Sequence, residues 1–176
     1  MIQLHDKTFV PFISEQQIAE AIKKLATEIA ENLNGENPVF VGVLNGAFIV
    51  MADLVRAYDG NCEVSFVKMA SYEGTESTGK VNELIGINEN LEGRNVILVE
   101  DIVDTGNTLE VLHQIFTKQK LASLKVATLF FKPEAYKKNI KIEYTGMEIP
   151  NKFIVGYGLD YDGLGRNLPA VYQLKE

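Results

Sequence analysis

Residues 96–109, VILVEDIVDTGNTL, restrict the fold of this chain more than any other stretch. Val96, Ile97, Leu98 and Val99 run without interruption into Glu100 and Asp101. Ile102 and Val103 follow, and then the polar run Asp104, Thr105, Gly106, Asn107, Thr108. Leu109, Leu112, Ile115 and Phe116 recur at helical spacing after it. A short, wholly apolar, β-branched run reads as a strand buried on both faces, as in a parallel sheet. The polar cluster therefore falls where a central strand gives way to a helix, and in open α/β sheets ligands bind there.

The chemistry of the cluster is two-sided. A Thr-Gly-Asn-Thr turn entering a helix offers backbone N–H groups, small side chains and two hydroxyls, which suits a phosphate at a helix N-terminus. Glu100, Asp101 and Asp104 cannot be phosphate ligands themselves, because like charges repel. They make sense as holders of Mg²⁺, acceptors for sugar hydroxyls or carriers of protons. A phosphorylated sugar with a divalent cation satisfies both halves. A capped junction with solvated acids would not explain why acids crowd a turn built for anions.

At 176 residues, with 46% apolar content, the chain is long enough for one domain, 1–176, with a sizeable core. No repeat, low-complexity tract or linker suggests a boundary. A formal charge of −7 disfavours a general nucleic-acid binder. It does not disfavour a phosphate substrate, because a local positive site and Mg²⁺ override the global sign. Cys62 is the only cysteine, so neither a disulfide framework nor a thiolate metal site is expected. The opening residues lack a signal pattern, and Gly42, Asn45, Gly46 and Asp53 break the apolar stretch 39–55. A cytoplasmic protein without membrane contact is the expectation.

Ser14 and Gln17 are spaced as a capping box before a helix on Ile18, Ile22, Leu25, Ile29 and Leu33, ending near Asn34-Gly35. Residues 38–44, PVFVGVL, read as a buried strand that turns at Asn45-Gly46 into an apolar helix over 47–55. This is again a strand-end geometry open to an anion, although a packing turn has the same composition, and the Walker spacing is absent. Residues 63–70 and 84–87 read as strands joined by a small, charged loop, which composition alone makes a surface hairpin. Residues 124–131 are another buried strand, ending in Lys132; a solvated lysine and a functional donor fit equally well there. His113, alone on its helix, reads as structural, and no clustered His or Cys suggests zinc. The glycines of residues 152–161, KFIVGYGLDY, do not have dinucleotide-binding spacing.

An apolar strand ending in two acids, two apolar residues and Asp-Thr-Gly-x-Thr resembles the phosphoribosyl-diphosphate motif of the type I phosphoribosyltransferases. The order Glu-Asp-Ile-Val-Asp-Thr-Gly is the form of the hypoxanthine-guanine branch. The resemblance spans residues 38–166 and implies an α/β fold, a parallel-sheet core flanked by helices, with a small hood over the carboxyl edge.

The implied reaction joins hypoxanthine, and guanine, to phosphoribosyl diphosphate, giving IMP or GMP and pyrophosphate. Glu100, Asp101, Asp104, Thr105, Gly106, Asn107 and Thr108 would hold the phosphoribosyl group, with Asp104 the base for purine N7. Leu44, Asn45 and Gly46 would meet pyrophosphate through their backbone, with a non-proline cis peptide at the Leu44 step. That loop usually carries a lysine where this chain has Asn45, and a basic residue often stands where it has Asn107. Ser71 and Tyr72 would belong to a catalytic lid that excludes water. Lys132 would donate to the purine 6-oxygen, favouring a carbonyl over the amino group of adenine.

In the same way, Phe153 would stack on the base and the Ile154 backbone would meet its edge. Asp160, with Glu100 and Asp101, would serve Mg²⁺, and Arg166 would contact pyrophosphate. Residues 162–165 lack the aromatics common before that arginine. The resemblance further implies a homodimer or homotetramer. The alternatives are an enzyme of this fold for xanthine, adenine or uracil, and a nucleotide-binding RNA regulator, which would need a basic face.

Overall fold

The computed structural model describes residues 1–69, 83–87 and 89–175. Five parallel strands make the centre: β3 (Val39–Leu44), β4 (Glu63–Met69), β6 (Asn95–Val103), β7 (Ser123–Phe131) and β8 (Tyr144–Glu148). With β5 (Glu83–Ile85) added antiparallel at one edge, their order is β5-β4-β3-β6-β7-β8. The register aligns Phe40 with Ile97 and Leu98 with Val126.

Side-chain alternation explains why the central strands are apolar throughout. Phe40, Ile97, Val99, Ala127 and Leu129 face one way, into a core shared with α1 (Glu15–Leu33) and α2 (Phe48–Ala57). Val39, Val41, Val96, Leu98 and Val126 face the other way, against Leu109, Leu112 and Phe116 of α3 (Asn107–Phe116). A sheet covered on both faces has no use for a polar alternation. Helix α1 begins at the expected capping box: Ser14 accepts from the Gln17 N–H while Gln17 accepts from the Ser14 N–H. It ends at Asn34 in the left-handed region, φ 48°.

A second sheet lies apart in topology. It pairs β1 (Ile2–Leu4), β2 (Lys7–Ile13), β10 (Val171–Leu174) and β9 (Ile154–Val155) antiparallel, in the order β1-β2-β10-β9. Both chain ends thus build one small sheet, the expected hood. Pro11, which cannot donate to a ladder, faces Tyr172 where the register slips between Val171 and Tyr172.

Two differences from the sequence reading concern the site. Strand β6 runs on to Val103, two residues past the end expected at Asp101, so Glu100 and Asp101 lie inside a paired strand and not at its tip; Glu100 is opposite Thr128. Helix α2 starts at Phe48 and extends to Ala57.

Candidate active site

Parallel strands deliver their carboxyl ends to one edge, and the loops leaving β3, β6 and β7 meet there. Leu44, at the end of β3, is joined to Asn45 by a cis peptide bond, and Gly46 follows. Residues 104–108 leave β6, and Lys132 leaves β7, with its N–H donating to the Val103 carbonyl. A cavity of about 390 Å³ opens between the first two loops, lined by Leu44, Gly46, Glu100, Asp101 and residues 104–108.

The 105–108 turn has the geometry of an anion cradle. Gly106 is the N-cap of α3 at φ 83°, and no side chain caps the helix. The first-turn amides therefore point at the cavity with the positive end of the helix dipole. Gly106 also sits against residues from beyond β7. A Cβ there would lie 2.5 Å from the Tyr136 ring and 2.9 Å from Lys138 Cγ. The Lys137 N–H donates to the Thr105 carbonyl at 3.3 Å, and Lys138 pairs with Glu110 at 2.7 Å. Sequence spacing does not link 136–138 to the turn; only the return of β7 beside β6 brings them there.

Glu100 and Asp101 are both buried. Burial pushes the Glu100 carboxyl well above its usual range, with the Asp101 charge adding to the effect. Burial raises Asp101 to about 6; backbone hydrogen bonds and the Arg166 charge pull against it, and the Asp160 charge pushes with it. The fold thus binds more protons than the unfolded chain between the ordinary carboxylate range and pH 6. Stability that is full at low pH is lost as pH rises through that window. For Asp101 the loss is about 3 kcal/mol, at about 1.4 kcal/mol per pH unit. Asp101→Asn should therefore raise the melting temperature of metal-free protein at pH 7.5, do so about half as much at pH 5, and lose the effect below the ordinary carboxylate range. Parallel wild-type and variant curves across pH would contradict this.

A second cavity, of about 330 Å³, shares Gly46, Asp101, Ile102 and Asp104 with the first. Its other walls are Lys132 and residues of the hood: Phe153, Ile154, Leu159, Asp160 and Arg166. Lys132 Nζ donates to Asp104 Oδ2 at 2.7 Å; the lysine side chain is 7% exposed and the aspartate 43%. A positive donor and a carboxylate acceptor thus stand side by side at the cavity. Phe153 is 45% exposed, and its ring lies 6.1 Å from Phe9 and 5.8 Å from Tyr161. Lys7 Nζ sits 4.4 Å from the Tyr161 ring centroid. Phe9 and Lys7 escape a sequence reading because only hood pairing places β2 beside residue 153.

Asp160 and Arg166 engage each other. Arg166 Nη2 lies 2.7 Å from Asp160 Oδ1, Nη1 donates to the Gly158 carbonyl at 2.6 Å, and the Gly163 N–H donates to Asp160 Oδ2. Among the described residues no three His, Cys, Asp or Glu side chains form a cluster able to hold a metal. Glu100, Asp101 and Asp160 are therefore not drawn together as one ligand set, because Asp160 turns to Arg166. Ser71 and Tyr72, and the lid expected around them, lie outside the described residues.

A family model for the phosphoribosyl transferase domain matches residues 13–162. The chain belongs to the phosphoribosyltransferase family. It is 44% identical over 165 residues to a hypoxanthine-guanine phosphoribosyltransferase of Streptococcus pneumoniae, covering 93% of this chain and 92% of that one. The crystal structure of a hypoxanthine-guanine phosphoribosyltransferase from Bacillus anthracis superposes with a TM-score of 0.88 at 41% identity, covering 97% of this chain and 99% of that one. A hypoxanthine phosphoribosyltransferase from Trypanosoma cruzi, solved with its product IMP, gives a TM-score of 0.88 at 33% identity, covering 99% and 98%. The sheet order, the acid pair in β6 and the hood described above are thus set within a phosphoribosyltransferase fold. No helix of the described residues is long and apolar enough to cross a membrane.

Proposed function

We propose that this phosphoribosyltransferase transfers the phosphoribosyl group of phosphoribosyl diphosphate to hypoxanthine and guanine, releasing pyrophosphate, in purine salvage. The observation that carries the reading is the Asp104–Lys132 pair at the junction of the two cavities. An oxopurine presents N7 and O6 on one edge. Asp104 accepts at N7 and Lys132 donates to O6, so the base replaces each partner of the ion pair with a matched one. The relatives' names support the same substrates.

The same reading assigns the remaining roles. The amides of 105–108 hold the 5′-phosphate and so fix C1 beneath the base. Glu100 and Asp101 accept the ribose 2′ and 3′ hydroxyls from the floor of the first cavity. Phe153 presents its exposed face for stacking, and the Ile154 backbone meets the purine edge. Leu44, Asn45 and Gly46 hold pyrophosphate through backbone groups at the β3 end, and Arg166 contacts it by exchanging Asp160 for the anion. As the glycosidic bond forms, the N7 proton passes to Asp104 Oδ2 while C1 leaves pyrophosphate oxygen.

Mg²⁺ fits this donor set. Asp101 is a buried carboxylate raised to about 6, a charge that a hard cation would compensate. One or two carboxylates with substrate oxygens are the usual Mg²⁺ environment. When bound, the ion neutralises the pyrophosphate leaving group. The 1–176 chain acts as one domain in the cytoplasm, as a homodimer or homotetramer, and light scattering tests the assembly.

Pyrophosphate release with phosphoribosyl diphosphate, Mg²⁺ and a panel of bases tests the reaction. Hypoxanthine and guanine should turn over, with adenine, uracil and orotate far behind; turnover confined to a pyrimidine would overturn the proposal. Lys132→Ala should reduce the preference for hypoxanthine over adenine by about tenfold or more, since a site built to bond a polar group discriminates through it. Equal discrimination by variant and wild type would remove Lys132 from base selection.

A further inference from the structure

The hood is tied to the helix that follows the pyrophosphate-side loop by a half-buried side-chain bond that reaches neither cavity of the active site. Tyr157 hydroxyl donates to Asp53 Oδ2 at 2.5 Å. Asp53 is on α2, the helix that begins two residues after Gly46. Tyr157 is in the hood segment that carries Phe153 at one end and Asp160 and Arg166 at the other, and it is buried. Its φ is 51°, a left-handed conformation that a tyrosine keeps only when its surroundings hold it.

Backbone contacts make the same junction tight. Gly158, at φ 98°, lies so close to the loop that a Cβ would stand 2.2 Å from the Gly46 carbonyl oxygen. The Tyr157 N–H donates to the Leu168 carbonyl at 2.8 Å and the Gly158 N–H to the Arg166 carbonyl at 3.0 Å, so the hood segment is braced as a unit.

We infer that Tyr157 and Asp53 are positioning residues, a strut that sets the distance between the base-binding hood and the phosphoribosyl-binding edge of the sheet. The inference rests on the proposed reaction, because only there must one ligand span both parts. A nucleoside monophosphate places its phosphate at 105–108 and its base against Phe153. Ribose 5-phosphate uses the first cavity alone. Loosening the strut therefore weakens the spanning ligand and spares the short one. A buried tyrosine that merely needed an acceptor for its hydroxyl would change both affinities alike, or neither.

The test is calorimetric titration of wild type, Tyr157→Phe and Asp53→Asn with inosine monophosphate and with ribose 5-phosphate, beside a thermal unfolding curve for each. Tyr157→Phe should weaken inosine monophosphate roughly tenfold, the scale of a hydrogen bond to a charged group, and change ribose 5-phosphate less than about threefold. Asp53→Asn keeps an acceptor oxygen for the phenol but not the charge, so it should weaken inosine monophosphate less than Tyr157→Phe does and bind ribose 5-phosphate near wild type. Equal losses for the two ligands, no loss, or an Asp53→Asn defect as large as that of Tyr157→Phe would overturn the strut. If Tyr157→Phe does not fold, Asp53→Ala replaces it with the same expected split. A wild-type protein that binds neither ligand would overturn the proposed reaction, and the strut with it.

Discussion

Asp104→Asn should lower kcat by about 10²–10⁴, the range for removing a general acid-base group, with the fold unchanged. Asp104 is half-exposed at the shared wall of the two cavities, so an isosteric amide leaves the core intact. Two effects combine in the variant. The amide cannot take the N7 proton, and it leaves the buried Lys132 ammonium facing a neutral partner in place of the 2.7 Å ion pair. Removing one member of a close charge pair is costly chiefly for the charge left behind. The purine 6-oxygen can still accept from Lys132, so the loss belongs to kcat more than to the KM for the base. Steady-state kinetics at saturating base separate the two, and unchanged turnover would remove Asp104 from the mechanism.

Gly46→Ala should be nearly as damaging, although it adds only a methyl group. The new Cβ would lie 1.8 Å from Asp101 Oδ2 and 2.4 Å from its Cγ, distances that no structure tolerates. Either the loop after β3 or the Asp101 side chain must move. The loop is pinned by Gly158 against the Gly46 carbonyl, and Asp101 is held in a paired strand. A shift of about 1 Å at a positioning group can cost about 10² in rate, and here the groups on both sides of the ribose shift together. A kcat/KM reduced by at least about 10² is expected, with circular dichroism showing the native sheet. Near-normal kcat/KM would show that the contact between loop and acid does not matter to the reaction.

These two residues show what a linear reading can and cannot see. Asp104 was legible because the anion turn, the acids and the apolar strand are contiguous, and each type has one physical reason to be there. The central strands were legible for the same reason: 38–44, 96–99 and 124–131 are apolar without alternation because helices cover both faces. Gly46 was legible as part of a turn, but its contact with Asp101 depends on β3 and β6 being neighbours in the sheet. The extension of β6 past the acids was hidden because charged residues at 100 and 101 mimic a strand end.

The hood was the least legible part. Its strands are two to seven residues long and come from opposite ends of the chain, so no local period marks them. The partners of Phe153 and the Asp53–Tyr157 bond arise from that pairing, with the bonded pair 104 positions apart. The pairing of Asp160 with Arg166 was likewise unseen, since six residues of irregular chain do not fix a separation.

The central claim is spatial: the 105–108 amides grip the phosphate of a nucleotide whose base lies between Phe153 and the Asp104–Lys132 pair. A crystal structure with inosine monophosphate tests it most directly. Phosphate oxygens are expected at hydrogen-bond distance from the 105–108 amides, with O6 within reach of Lys132 Nζ and N7 facing Asp104. A nucleotide lodged elsewhere, with that pocket empty, would contradict it.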